Sequence, residues 1–234
     1  MVQNNAGVAA PRRGRPRQYD PDEALAKAAA VFWKRGYAAT SLDDLAAATG
    51  MNRPSLYAAF GDKRDLYLAT LERYRQLSRA AALKLLADDP PLRVYLRRYY
   101  EAALDAYRAG EDNARGCYSI STAPAQATVD PAVRTYLSDS IRNTDAFLAD
   151  LIAKGRERGE VAAGADPSAL AQIATAALHT IAVRSRVGAG RKELLALAGA
   201  AIDLICGPVP RGGKASGGRA GGSRRRGKRA PAQS

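Results

Sequence analysis

The sequence predicts an all-α fold of about nine helices. Apolar residues recur at helical spacing through residues 20–206, extended period-two alternation is absent, and Asp-Pro pairs and glycines punctuate the periodic segments. The first helix begins at Asp20-Pro21, a cap followed by proline at the first helical position. Leu25, Ala28, Ala29 and Phe32 form its apolar stripe, widened by Ala24 and Val31, and Gly36 stops it. Thr40 is placed to cap a short second helix holding Leu42, Leu45 and Ala46, which Gly50 ends. Asn52 is placed to cap a third, with Pro54 in the tolerated first turn and Leu56 and Phe60 on its buried side. Asp62 opens a longer fourth helix, through Leu66, Leu71, Tyr74, Leu77 and Leu83 to about Leu86. Five more follow at roughly 91–109, 117–127, 131–158, 167–187 and 191–206.

The chain has 234 residues, enough for one domain with a sizeable core or a small domain joined to a medium one. Its net charge is +13, and twelve of those charges sit at the two ends. Residues 1–19 hold Arg12, Arg13, Arg15 and Arg17 and no acid; residues 211–234 hold eight Lys or Arg and no acid. A nearly neutral body with two basic ends points to a polyanion met by flexible arms. Residues 1–19 read as a disordered basic arm. Residues 207–234 read as a disordered Gly/Arg-rich tail, with no large apolar residue beyond Val209.

The same composition excludes several function classes. His179 is the only histidine, so a His-rich metal site is out and a Ser-His-Asp triad has one candidate base. Cys117 and Cys206 are too few for a zinc finger or a disulfide scaffold, and fit a reducing compartment. The sequence offers no Gly-rich phosphate loop, metal cluster or nucleophile–base pair, so no catalytic residue, metal or cofactor is assigned. No apolar stretch precedes the N-terminal arginines. The apolar-rich segments Leu170–Val183 and Leu194–Cys206 are too short and too interrupted to span a bilayer. The expectation is a soluble, cytoplasmic, nucleoid-associated protein with no membrane partner.

Function is concentrated in Thr40–Leu66, TSLDDLAAATGMNRPSLYAAFGDKRDL. Two short helices joined by a brief glycine-containing turn make a helix-turn-helix, whose second helix can enter a major groove. Ala46 is small where the helices cross, and Gly50 can take positive φ in the turn. Leu42, Leu45, Leu56 and Phe60 close a small core against Leu25, Ala28 and Phe32. The other side of the third helix then presents Asn52, Arg53, Ser55 and Tyr57 outward.

This segment resembles the DNA-binding domain of the tetracycline-repressor (TetR/AcrR) family of bacterial transcriptional regulators. The matching residues are Gly36-Tyr37, Thr40, Leu45-Ala46, Thr49-Gly50-Met51, Leu56-Tyr57, Phe60 and Lys63, ending at Leu66. The resemblance implies that Thr40, capping the second helix, touches a phosphate, and that Tyr57 packs on the sugar-phosphate backbone and donates its hydroxyl. Lys63 would bring its charge and a helix N-terminus to a phosphate, which electrostatics also favours. Arg53 and Ser55, with Asn52 and Pro54, are the candidates for base edges. Ala58-Ala59-Phe60 stands where the family often carries histidines, leaving recognition to fewer side chains. The arm's Gly14-Arg15-Pro16-Arg17 resembles an AT-hook core, suited to a narrow A·T-rich minor groove; plain phosphate attraction is the other reading. The tail would add salt-dependent affinity or serve only as a solubilising extension.

Residues 20–66 are thus expected to form the DNA-binding domain and 67–206 a ligand-binding and dimerisation domain, the latter by resemblance in outline. The resemblance implies that the last two helices pair with their symmetry mates through Leu170, Ile173, Ala177, Ile181, Leu194, Leu197, Ala201 and Ile205. An ordinary intrachain core would use the same residues, and both readings stand. Tyr95, Tyr99, Tyr100, Tyr118 and Tyr136, with His179, suit a cavity for an amphipathic effector or simply core edges. Cys117, near a helix start and beside Arg115, is a candidate redox sensor, with buried packing the alternative. The combined expectation is a homodimeric repressor, released from a palindromic double-stranded operator by a small-molecule effector. The rivals are a weakly specific DNA-coating protein driven by its basic tails and a small all-α enzyme.

Overall fold

The computed structural model describes residues 19–109 and 114–208. Among these there are nine helices and no strand. They are α1 (Pro21–Arg35), α2 (Leu42–Thr49), α3 (Arg53–Phe60), α4 (Lys63–Lys84), α5 (Leu92–Tyr107), α6 (Tyr118–Ala127), α7 (Pro131–Glu157), α8 (Pro167–Arg186) and α9 (Arg191–Cys206). The all-α expectation is met, helix by helix. The arm with Arg12, Arg13, Arg15 and Arg17, and the basic tail, lie outside the described residues.

Short polar side chains begin most of the helices. The carboxylates of Asp20, Asp62, Asp130 and Asp166 and the amide oxygen of Asn52 each accept a backbone N–H of the first turn. Asp62 does so within a reciprocal box with Asp65. One cap differs from expectation. Ser41, not Thr40, caps α2, in a reciprocal box with Asp44. Thr40 is turned inward, 1% exposed, and donates its hydroxyl to the Gly36 carbonyl at 2.7 Å.

Two apolar clusters organise the molecule. One joins Ala28 and Phe32 of α1, Leu45 of α2 and Leu56 of α3 to Leu66, Tyr67 and Leu71 of α4. It continues through Tyr118 and Ala123 of α6 to Val133 of α7, so packing crosses from the helix-turn-helix into the larger part of the chain. Leu42 and Phe60 only flank this cluster. The other is built from α5, the second half of α7, α8 and α9, around Leu96, Leu104, Leu148 and Ile152.

Through the first cluster runs a buried hydroxyl network. The Tyr67 hydroxyl donates to Thr122 Oγ1 at 2.7 Å, Thr70 and Tyr118 share a bond of 2.8 Å, and the Tyr136 hydroxyl donates to the Leu71 carbonyl at 2.8 Å. Each such bond contributes about 1 kcal/mol net, and leaving one partner unpaired costs about 1–3 kcal/mol. These contacts fix α4, α6 and α7 to one another. Leu77 and Leu83 of α4 are 53% and 46% exposed. The second half of α4 runs past the core, and Leu77 lies at the edge of a cavity instead.

Gly116 ends the link from α5 to α6. Its φ is +66°, and its N–H donates to the Tyr107 carbonyl at 2.8 Å. A Cβ there would meet the Ala182 carbonyl oxygen at 2.9 Å, so glycine is required on both counts.

Candidate functional site

The first half of the site is the exposed surface of α2 and α3. Gly50, at φ 73° and ψ 14°, takes the left-handed conformation that turns the chain from α2 into α3. Leu45 and Leu56 pin the two helices to α1 and α4 from beneath. That leaves Asn52, Arg53, Pro54, Ser55 and Tyr57 exposed together on the N-terminal half of α3. The structure therefore brings five of the predicted contact residues onto one surface. No acidic residue lies in the first turn of α3, so its positive end is uncompensated from within the helix.

Arg53 is oriented by α2. Its Nε donates to Asp43 Oδ1 at 2.7 Å and a terminal nitrogen donates to Oδ2, a two-point pairing that also holds the Asp43 carboxyl below its usual range. Asn52 uses its side-chain oxygen on the Ser55 N–H at 2.8 Å, which keeps its amide nitrogen free of that cap.

Lys63 is the first residue of α4, and its ammonium lies 4.4 Å from the centroid of the Tyr37 ring. Burial lowers its pKa. Thr40, buried as described, has no hydroxyl to offer a phosphate. Its neighbour Ser41 is exposed, and the Ser41–Asp44 spacing is the sequence signal that marks the true cap.

The second half is a cavity of about 590 Å³ bounded by α4, α5, α6, α7 and α8. Of the six residues expected to line it, Tyr99 and His179 do. Tyr95, Tyr100, Tyr118 and Tyr136 are buried in the apolar clusters with their hydroxyls engaged elsewhere. Tyr95 donates to the Ala82 carbonyl at 3.2 Å and Tyr100 to the Ala174 carbonyl at 2.9 Å, while Tyr118 and Tyr136 belong to the hydroxyl network. These four are structural. Tyr74, Tyr107 and Phe147 line the cavity and were missed. The signal for Tyr107 was its place eight residues after Tyr99, with Ala102, Ala103 and Ala106 on the same side leaving room between them.

Cys117 is on the cavity wall, buried, at the N-cap of α6. The Tyr74 hydroxyl donates to its Sγ at 3.4 Å. The cation expected beside the thiol is occupied elsewhere: the Arg115 guanidinium carbon stands 3.7 Å from the centroid of the Trp33 ring. Neutral phenols face the sulfur instead. Burial, with the neighbouring sulfur, raises both the Tyr74 and the Tyr107 pKa well above the ordinary value.

Trp33 connects the two halves. It belongs to α1, donates its indole N–H to the Arg115 carbonyl at 2.9 Å, and meets the Tyr74 ring edge-on at 5.4 Å. Arg186 of α8 donates to the carbonyls of Arg115 and Trp33 at 3.0 and 3.2 Å. One aromatic residue of the cavity wall thus packs directly on the helix that supports α2 and α3.

Two predictions about α8 and α9 separate here. Ile181, Leu194, Ala201 and Ile205 are buried within the chain, and Leu170, Ala177 and Leu197 are half-buried. Ile173, at 39%, is the most exposed of the eight. The exposed apolar stripes carry Val183 (53%) and Leu204 (63%) as well. Among the described residues no group of three or more His, Cys, Asp or Glu is placed to hold a metal ion, and no helix is long and apolar enough to cross a membrane.

Comparison with known proteins fits this geometry. The family model described as bacterial regulatory proteins, tetR family, matches residues 24–70, and that for the tetracyclin repressor-like C-terminal domain matches residues 94–202. The chain is 31% identical to the HTH-type transcriptional repressor ComR of Escherichia coli strain K12 over 195 residues, 82% of this chain and 91% of the relative. It is 34% identical to YezE, an uncharacterized HTH-type transcriptional regulator of Bacillus subtilis strain 168, over 68% of this chain and 82% of the relative. Among solved structures it resembles a cysteine mutant of the TetR family transcriptional regulator CifR complexed with double-strand operator DNA. There the TM-score is 0.72 and the identity 29%, covering 82% of this chain and 100% of that one. The family and these relatives are transcriptional regulators rather than enzymes. The protein belongs to the TetR family of bacterial transcriptional regulators.

Proposed function

We propose that the protein is a homodimeric, ligand-responsive regulator, acting in the cytoplasm, that holds a two-fold symmetric operator and leaves it when a small molecule enters the cavity. The observation that carries the reading is the exposed group Asn52, Arg53, Pro54, Ser55 and Tyr57 on one rigid helix, next to Lys63 at a helix start. Residues 20–66 form the reading head and 67–206 the effector and dimerisation part. Arg53 reads a base edge. Asp43 fixes the plane of its guanidinium, and the donors that remain can pair with guanine, worth about 1–3 kcal/mol of discrimination. Lys63 and Tyr57 position the head on the backbone.

Dimerisation uses the outer stripes of α8 and α9, with Ile173, Val183 and Leu204, and sets two α3 helices about 34–36 Å apart. A ligand releases DNA only if it binds better to a conformer with a different spacing. The cavity wall is joined to α1 through Tyr74, Trp33 and Arg115, which gives such a conformer a path to the head. The arginine arm and the basic tail add salt-dependent affinity.

Genomic footprinting of the purified full chain tests this. One or a few protected palindromes are expected; uniform protection would instead favour a DNA-coating protein. A second reading concerns Cys117, because its sulfur lies on the cavity wall. If thiol-reactive compounds release operator DNA, Cys117→Ser removes that response. An unchanged response, or none in the parent protein, ends the sensor reading.

A further inference from the structure

The cavity's polar groups are sparse, and their state restricts what can occupy it. The charged residues on its wall, Glu72, Arg75 and Arg79, all belong to α4. Glu72 and Arg75 neutralise each other at 2.6 Å, and Arg79 is exposed to solvent. Asp145, whose Oδ1 is buried without a partner among the described residues, is not on the wall. His179 is, and burial lowers its pKa despite the opposing field of Asp145, so it meets a ligand as the neutral imidazole near neutral pH. Elsewhere the wall is mostly alanine, leucine, isoleucine and phenylalanine side chains. A buried ammonium would find no unpaired opposite charge there, and a carboxylate only Arg79 at the solvent-exposed edge; burying an unpaired charge is strongly disfavoured.

The phenols on the wall differ from one another. Tyr74 donates to Cys117 Sγ, and Tyr107 lies against the same sulfur. Tyr99 lies on the wall too, stacked at 5.9 Å on Tyr95, and its hydroxyl has no hydrogen-bond partner among the described residues. Burial pushes this phenol up to about 12, so it stays a donor across the physiological range. An unpaired donor in an apolar hollow favours a ligand that brings an acceptor.

We propose that the cavity takes a neutral, mainly apolar molecule bearing one strong hydrogen-bond acceptor, of the ketone, aldehyde or amide class, and that the Tyr99 hydroxyl donates to that acceptor. This rests on the cavity being the effector site, and it adds the ligand's charge state, the acceptor and the residue that reads it. His179, from α8, offers a second neutral polar contact.

Four compounds of one skeleton test it by calorimetry on the full chain: benzophenone, diphenylmethane, diphenylacetate and diphenylmethylammonium. Diphenylmethane is the more hydrophobic of the first two, so burial alone favours it. Benzophenone is expected to bind about tenfold more tightly, as one net hydrogen bond provides. Tyr99→Phe brings the two to within about twofold while leaving diphenylmethane affinity and the melting temperature unchanged, so the hydrocarbon serves as the folding control. Diphenylacetate and diphenylmethylammonium bind at least about tenfold more weakly than the ketone.

Equal or tighter binding of the anion would overturn the proposal and point to Arg79; equal or tighter binding of the cation would overturn it and point to Glu72. A ketone preference that survives in Tyr99→Phe overturns the assignment of the donor, and failure of all four to bind overturns the whole. Operator affinity separates this from the proposed function. Tyr99-dependent ketone binding that leaves DNA binding untouched supports the ligand class and removes the release mechanism. Release by other molecules with no binding of this series does the reverse.

Discussion

The reading head and the α8–α9 pair are both built from short-period apolar helices, yet they dispose of their apolar surface differently. In the head, α2 and α3 each have one apolar side, and Leu45 and Leu56 bury it against α1 and α4. The polar side that remains is the surface proposed to read DNA. In α8 and α9 the apolar residues run further round the helix. Ile181, Leu194 and Ile205 face inward, while Ile173, Val183 and Leu204 face out. A helix with one apolar face declares its partner and its exposed residues together, whereas a helix apolar on two sides leaves open which side belongs to its own chain.

The largest effect that sharpens this contrast is on folding. Leu45→Ala and Ile205→Ala each remove a fully packed side chain and should lower unfolding free energy by about 2–5 kcal/mol in chemical denaturation. Leu204→Ser should leave the fold of a single chain near its parent stability and shift the monomer–dimer equilibrium toward monomer in sedimentation experiments. If Ile205→Ala and Leu204→Ser behave alike, the inner and outer stripes have been wrongly divided.

Next in size is the division of labour on the head. Arg53→Ala should cost about 1–3 kcal/mol of affinity for the operator and much less for unrelated DNA. Lys63→Ala should weaken both about equally and reduce the salt dependence. Asp43→Ala should resemble Arg53→Ala in base preference, since it frees the guanidinium from its two-point hold. Equal losses on operator and unrelated DNA from Arg53→Ala would reverse its assignment.

The legible and illegible parts of the molecule follow local against long-range physics. Asp20-Pro21, Asn52, Asp62, Asp130-Pro131 and Asp166-Pro167 start helices through bonds made within three residues, so spacing alone located them. Gly50 was legible for the same reason. Thr40 was misassigned because two adjacent hydroxyl residues can cap, and only the partner at Asp44 distinguishes them. The cavity was legible as a Tyr-rich region but not residue by residue. Whether a tyrosine lines a hollow or fills a core depends on what stands across from it. The carbonyls of Ala82, Leu71 and Ala174 that engage Tyr95, Tyr136 and Tyr100 belong to other helices, 13, 65 and 74 positions away. Arg115 illustrates the same limit: two residues from Cys117 in sequence, it is stacked on Trp33 of α1.

Smaller effects test these local assignments. Ser41→Ala should cost about 1 kcal/mol of stability through loss of the α2 cap. His179 gives a pH signature. Its pKa is lowered in the folded chain, so the unfolded chain binds the proton more readily. Stability is therefore retained above the ordinary histidine pKa of about 6.5 and falls as pH drops below it. Replacing His179 with Gln should flatten that part of the stability–pH profile, and an unaltered slope would show that His179 is not the group responsible.

In this reading a rigid α2–α3 surface, not the basic ends, selects DNA sequence. Selection from a random duplex library by the body alone, without residues 1–18 and 209–234, addresses it most directly. Weaker overall binding at raised salt is expected, but with clear enrichment of a two-fold symmetric sequence, blurred at one position per half-site by Arg53→Ala. A body that enriches no sequence, while the full chain binds all duplexes alike, would contradict it.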